Sequence, residues 1–207
     1  MKSVETAHAE GRPGDYNTLV LGIGNILWAD EGFGIRAVEN FNARYTLPDD
    51  ARVMDGGTQG IFLLPWVRHA RRLLIFDAVD FGLAPGTLKL VRGDDVPCFM
   101  GAKKVSMHQA GFQEVLSTAA LAGDLPEELA LIGVQPELLD DYGGSLTEPV
   151  RARLSDALRM AVELLGDWGV PVRERDRPLS PPELVGPDAL AIGDYESGRP
   201  GLSGDTP

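Results

Sequence analysis

A chain of 207 residues, 24% charged and 43% hydrophobic, has the size and mix of one globular domain with a real core. Its formal net charge of −12 excludes the usual duplex-nucleic-acid and anionic-membrane surfaces, which need clustered Lys and Arg. The single cysteine, Cys98, leaves no internal disulfide or thiolate zinc site, no apolar run reaches the ~18–20 residues of a membrane span, and residues 1–16 lack a secretory signal core, so a cytoplasmic location is expected.

Residues 1–16 read as a disordered or variable arm, and residues 173–207, rich in Pro, Gly and acids, as a tail that packs weakly. Between them, residues 17–172 form a single α/β domain. Residues 17–24 are a near-continuous apolar strand, as expected when both faces are covered. A helix follows over about 31–45, with Ile35, Val38, Phe41 and Tyr45 at helical spacing. Residues 51–55 make a second strand, closed by Asp55-Gly-Gly-Thr58. A short helix over about 59–70 carries Ile61, Leu64 and Val67, and Pro65 predicts a kink in it.

Residues 72–77 are the third strand, and the alternating residues 86–92 an edge strand with one wet face. A helix over 107–121, a buried strand over 129–134 and a final helix over about 147–168 complete the body. Val150, Leu154, Leu158, Ala161, Leu165 and Trp168 stripe that last helix; Ser145 and Glu148 have capping-box spacing at its start, with Thr147 a rival cap. This order predicts a three-layer α/β/α fold: a mostly parallel sheet of about five strands with helices on both faces.

The chemistry concentrates at strand ends. Gly22-Ile-Gly24 opens a strand-to-helix turn as a dinucleotide fingerprint does, but the third glycine of that motif falls on Leu27. The acidic pair Asp30 and Glu31 sits where a pyrophosphate would bind, and it repels one while favouring a cation. Asp77 ends the apolar run Leu73-Leu-Ile-Phe76. His108 opens the helix that begins near the carboxyl edge of the sheet. Two carboxylates and an imidazole suit a borderline divalent ion such as nickel or zinc, and three protein ligands leave coordination positions open for something else. Asp55 ends the second strand and lines the same rim. Cys98 follows Pro97 in a loop and reads as a buried or incidental thiol; Ser145 lacks a nucleophile elbow, and no H-E-x-x-H motif occurs.

These blocks resemble the maturation endopeptidases of [NiFe] hydrogenases. The likeness runs from Leu19 to about Trp168. It is carried by residues 22–34, by Asp55-Gly-Gly-Thr58, by Phe76-Asp77-Ala78, by Ser106-Met-His108-Gln109 and by Leu131-Ile-Gly-Val-Gln-Pro-Glu137. The resemblance implies a twisted sheet between helices and metal ligands at Glu31, Asp77 and His108. The metal would be nickel, carried by the substrate rather than permanently bound. That substrate would be the precursor of a [NiFe] hydrogenase large subunit, from which a C-terminal extension is removed. The long Pro-rich tail resembles the subgroup serving uptake, membrane-bound hydrogenases. Asp55 or Asp30 would assist as a base or orient the substrate tail. A non-catalytic chaperone that checks the same precursor for nickel is the alternative.

Overall fold

The computed structural model describes residues 16–102 and 107–179, without the side chains of residues 100–102 and 107–110. Five strands form one sheet in the order β3-β1-β4-β6-β5. The elements are β1 (Thr18–Ile23), α1 (Phe33–Arg44), β2 (Tyr45–Thr46), β3 (Ala51–Gly57), α2 (Leu64–His69), β4 (Arg72–Ala78), β5 (Leu88–Arg92), α3 (Asp95–Ala102), α4 (Met107–Ala122), β6 (Glu128–Val134), α5 (Glu148–Arg151), α6 (Leu154–Asp167) and β7 (Arg173–Glu174). β1 runs parallel to β3 on one side and to β4 on the other, β4 parallel to β6, and the edge strand β5 antiparallel to β6. The mostly parallel, five-stranded sheet read from the sequence is therefore present, with the strand ends of β1 and β4 adjacent.

Side chains alternate between the two faces of a strand, and each face has its own core. Val20, Leu74, Phe76 and Ile132 pack under α1 and α6, against Phe33, Val38, Phe41, Leu158 and Ala161. Leu19, Leu21, Leu73, Ile75 and Leu131 pack under α2 and α4, against Val67, Phe112, Val115 and Leu116. No helix among the described residues is long and apolar enough to cross a membrane.

Several boundaries differ from the sequence reading. Tyr16, assigned to the arm, is buried in the second core and its hydroxyl donates to the Trp66 carbonyl at 2.6 Å. The remaining arm residues 1–15 and the tail residues 180–207 lie outside the described residues. The first part of the predicted tail does not hang loose. β7 pairs antiparallel with β2, and the N–H groups of Arg175 and Leu179 donate to the carbonyls of Arg44 and Ala43. These backbone bonds strap the chain to the end of α1 and need no apolar periodicity. Residues 95–102, read as a loop around Pro97, are the helix α3. Proline is tolerated in a first turn because its missing N–H has no intrahelical partner there. Cys98, on α3, is exposed rather than buried. The long last helix is broken after Arg151, where the Arg153 N–H bonds back to Val150 in a tight turn before α6 begins.

Candidate active site

The loop from β1 to α1 carries the acidic pair, and a 3₁₀ turn over Ala29–Gly32 precedes the helix. The glycines of Gly22-Ile-Gly24 serve the packing of this turn rather than a phosphate. Gly24 has φ +145°, and a Cβ there would collide with the carbonyl of Glu31. The turn that presents Glu31 therefore lies directly on the end of β1.

Asp30 and Glu31 are neighbours with opposite fates. Asp30 is fully buried. Its Oδ1 accepts the Thr147 N–H at 2.7 Å, and its Oδ2 accepts the N–H groups of Glu137 at 2.9 Å and Leu138 at 3.0 Å. The Thr147 hydroxyl lies 3.0 Å from Oδ1 and 2.9 Å from Oδ2. Thr147 is the N-cap residue of α5, but its hydroxyl is spent on Asp30 instead of on the helix. Backbone bonds complete the seam: Ala29 N–H to Gly144 O at 3.1 Å, Asp30 N–H to Leu138 O at 3.1 Å and Gly143 N–H to Leu27 O at 2.7 Å. The rings of Trp28 and Tyr142 meet edge to face with centroids 5.3 Å apart. Residues 27–31 and 137–147 are thus one unit with the Asp30 carboxylate at its centre. A carboxylate engaged on both oxygens acts as a staple between these two segments. Replacing Asp30 by Ala takes the acceptor from three backbone N–H groups and from the Thr147 hydroxyl at once. We expect a loss of about 3 kcal/mol or more in urea-induced unfolding.

Glu31, half-buried, remains at the rim. Asp77 is the penultimate residue of β4 and fully buried. Phe76 and Ala78 belong to the core under α1, and Ile75 and Val79 to the core under α4, so the Asp77 side chain lies on the α4 face. His108 is the second residue of α4, and its side chain lies outside the described residues. The first turns of α4 are seated at the carboxyl edge by a contact between Gly111 and Gly60, in the turn that follows β3: a Cβ on Gly111 would come within 3.3 Å of the Gly60 Cα. Among the described residues, no group of three metal-ligating side chains converges.

Asp55 stands opposite Gly22 in the register of β1 and β3, and Gly22 stands opposite Phe76 of β4. Two strand spacings separate β3 from β4, roughly 10 Å. Val53 packs in the core under α1 and Met54 in the one under α4, so Asp55 faces α1, away from the face Asp77 occupies. The shared rim expected for Asp55 holds for the strand end but not for the face. Its Oδ1 accepts the Gly57 N–H at 2.8 Å. Burial pushes its carboxyl above the usual range, while the Gly57 N–H and the Arg36 guanidinium pull it down.

Two contributors escaped the sequence reading. Arg36 and Glu39 form a buried ion pair on α1 that faces Asp55; opposite charges one turn apart on an otherwise apolar helix stripe were the available signal. Gln135, buried just past β6, accepts the N–H groups of Phe81 at 2.8 Å and Leu83 at 3.1 Å and donates to Asp80 at 3.1 Å, fixing the loop that leaves β4.

Comparison with known proteins gives one answer. The model of the hydrogenase maturation protease family matches residues 35–164. Hydrogenase expression/formation protein HoxM of Azotobacter vinelandii is 61% identical over 184 residues, 89% of this chain and 87% of its own. The hydrogenase 2 maturation protease of Escherichia coli K12 is 42% identical over 159 residues, 76% of this chain and 96% of its own. Among solved structures, the hydrogenase maturating endopeptidase HybD from E. coli superposes with a TM-score of 0.73 at 40% identity, covering 77% of this chain and 98% of that one. The family model covers more than half of the chain and these relatives most of it, and the chain belongs to the hydrogenase maturation proteases.

Proposed function

We propose that this endopeptidase removes a C-terminal extension from the nickel-loaded precursor of a [NiFe] hydrogenase large subunit, and that Glu31, Asp77 and His108 grip the nickel the substrate brings. The observation that carries this reading is the pairing of two carboxylates at neighbouring strand ends. Glu31 follows β1 on a turn stapled by Asp30, and Asp77 ends the adjoining β4 on the face of the helix that His108 opens. Nitrogen and oxygen ligands of this kind suit a borderline divalent ion. Nickel is part of the substrate in this scheme; held by three side chains, it fixes the precursor's last segment against the sheet edge.

Asp30 is fully engaged, which leaves Asp55 as the carboxylate for proton transfer. Its distance and opposite face argue against ligating the same ion as Asp77, and favour action on a peptide bond lying beside that ion. In the proposed step a water oxygen bonds to the scissile carbonyl carbon while Asp55 accepts a water proton. The C–N bond then breaks and the proton passes to the departing amine. The reading is of an aspartic-type hydrolysis in which nickel is a recognition mark.

The test is to incubate the protein with nickel-loaded and with nickel-free precursor and weigh the products. Loaded precursor should lose the mass of its terminal fragment, and nickel-free precursor should stay whole. Equal cleavage of both removes the nickel grip. Binding of loaded precursor with no mass change reassigns the chain as a nickel-checking chaperone.

A further inference from the structure

Arg36 and Glu39 lie one turn apart on α1, 2% and 5% exposed, joined Nη1 to Oε2 at 2.9 Å. Such a pair is a poor source of stability, because removing two charges from water offsets most of their attraction and apolar residues of the same volume often do as well. Its location is informative. Asp55 faces the same helix from the end of β3, within electrostatic reach of both members. One guanidinium therefore acts on two carboxylates, that of Glu39, which is buried, and that of Asp55, which is half-buried.

We propose that Arg36 and Glu39 are positioning residues for Asp55: an electrostatic clamp that aims its carboxylate at the carboxyl edge and divides one cationic charge between two acids. The proposal rests on the reading of Asp55 as the group that accepts a proton from the attacking water. A guanidinium held by Glu39 attracts Asp55 less than an undivided one would, so Asp55 keeps the basicity that burial confers. Burial also pushes Glu39 up, Arg36 pulls it down, and the charge of Asp55 raises it further, so the two acids respond to one another. The charged groups of the neighbouring described strands and loop are placed elsewhere. β1, the strand between β3 and β4, carries no titratable side chain. On β3 itself, Arg52 sits over the Tyr16 ring on the other face. In the β1–α1 loop, Asp30 is bound to Thr147 and Glu31 stands at the rim.

The two members of the clamp should move the reaction in opposite directions, which a purely structural pair does not do. Glu39→Gln keeps the shape and removes the carboxylate that competes with Asp55 for Arg36. The acid limb of the processing rate against pH should shift down by about one unit. Arg36→Met takes the guanidinium away from buried Glu39 and half-buried Asp55, and the limb should shift up by about one unit or more. Titration of ¹³C-labelled aspartate carboxyls by NMR in the full chain, without precursor, should show one carboxyl moving with the limb. Each variant has its own direction, so either one folding suffices. A limb that stays put while the rate falls equally at every pH assigns the pair to the core and overturns the proposal, as does loss of folding in both variants. Asp55→Asn separates the layers. If it processes at the wild-type rate, the reading of Asp55 fails. If it is inactive while Glu39→Gln leaves the limb unmoved, only the clamp fails.

Discussion

If Glu31 and Asp77 grip nickel as proposed, Asp77→Asn and Glu31→Gln should each leave a folded protein whose processing of nickel-loaded precursor is down by roughly a hundredfold or more. Both changes are isosteric, so neither opens a cavity. At Asp77, fully buried, a neutral amide is cheaper to desolvate than a carboxylate. At Glu31, half-buried on the turn before α1, the loss is a favourable charge near a helix N-terminus, worth a few tenths of a kcal/mol. Unfolding midpoints should therefore stay within about 1 kcal/mol of wild type. What disappears is the negative charge that the proposed nickel grip requires. Affinity for loaded precursor, measured by isothermal calorimetry, should fall with the rate, whereas affinity for nickel-free precursor should not change. A variant that processes normally would end the nickel-grip reading. Loss of cleavage with full retention of loaded-precursor binding would move Asp77 or Glu31 from the grip to the chemistry.

The central strands were legible because their middles are continuous apolar runs. β1, β4 and β6 are covered on both faces, and composition alone reports that. The stripes of α1 and α6 were legible for the same reason, since 3.6-residue spacing follows from one-sided burial. What was not legible is decided by partners far away in the chain. Asp30 and Glu31 are chemically equivalent in sequence, yet Asp30 meets its donors 107, 108 and 117 residues later. Only that encounter makes it a staple. The face on which Asp55 lies depends on the register of β3 against β1, and register is not a property of either strand alone. Arg36 and Glu39 carry no role in the sequence until the sheet is beneath them. The strap of β7 onto β2 uses backbone groups, which every residue type supplies equally. Sequence patterns thus reported burial well, and long-range polar pairing not at all.

Gly34→Ala should be among the most damaging single changes in the chain, lowering stability by about 3 kcal/mol or more. Gly34 lies in the first turn of α1, where the helix crosses the ends of β1 and β4. A Cβ there would collide with the carbonyl oxygens of Ile23 and Phe76 and stand 2.9 Å from the Ile23 nitrogen. All three atoms are backbone, so no rotamer change relieves the clash; either the helix lifts or two central strands separate. Lifting the helix exposes Phe33 and moves the turn bearing Glu31, whose position the Asp30 staple holds from the other side. The folded fraction should therefore also process precursor slowly, because its Glu31 no longer faces the end of β4. Gly166, exposed in α6 with open space around it, is the control. Gly166→Ala should stabilise by about 0.5 kcal/mol through the lower entropy of the unfolded chain and leave processing untouched. Thermal unfolding of the two variants side by side measures the difference, expected as a fall of roughly 6–12 °C against a rise of a degree or two. A Gly34→Ala protein with wild-type stability would mean that the close approach of α1 to the sheet is not required, and that the turn presenting Glu31 is held by the Asp30 staple alone.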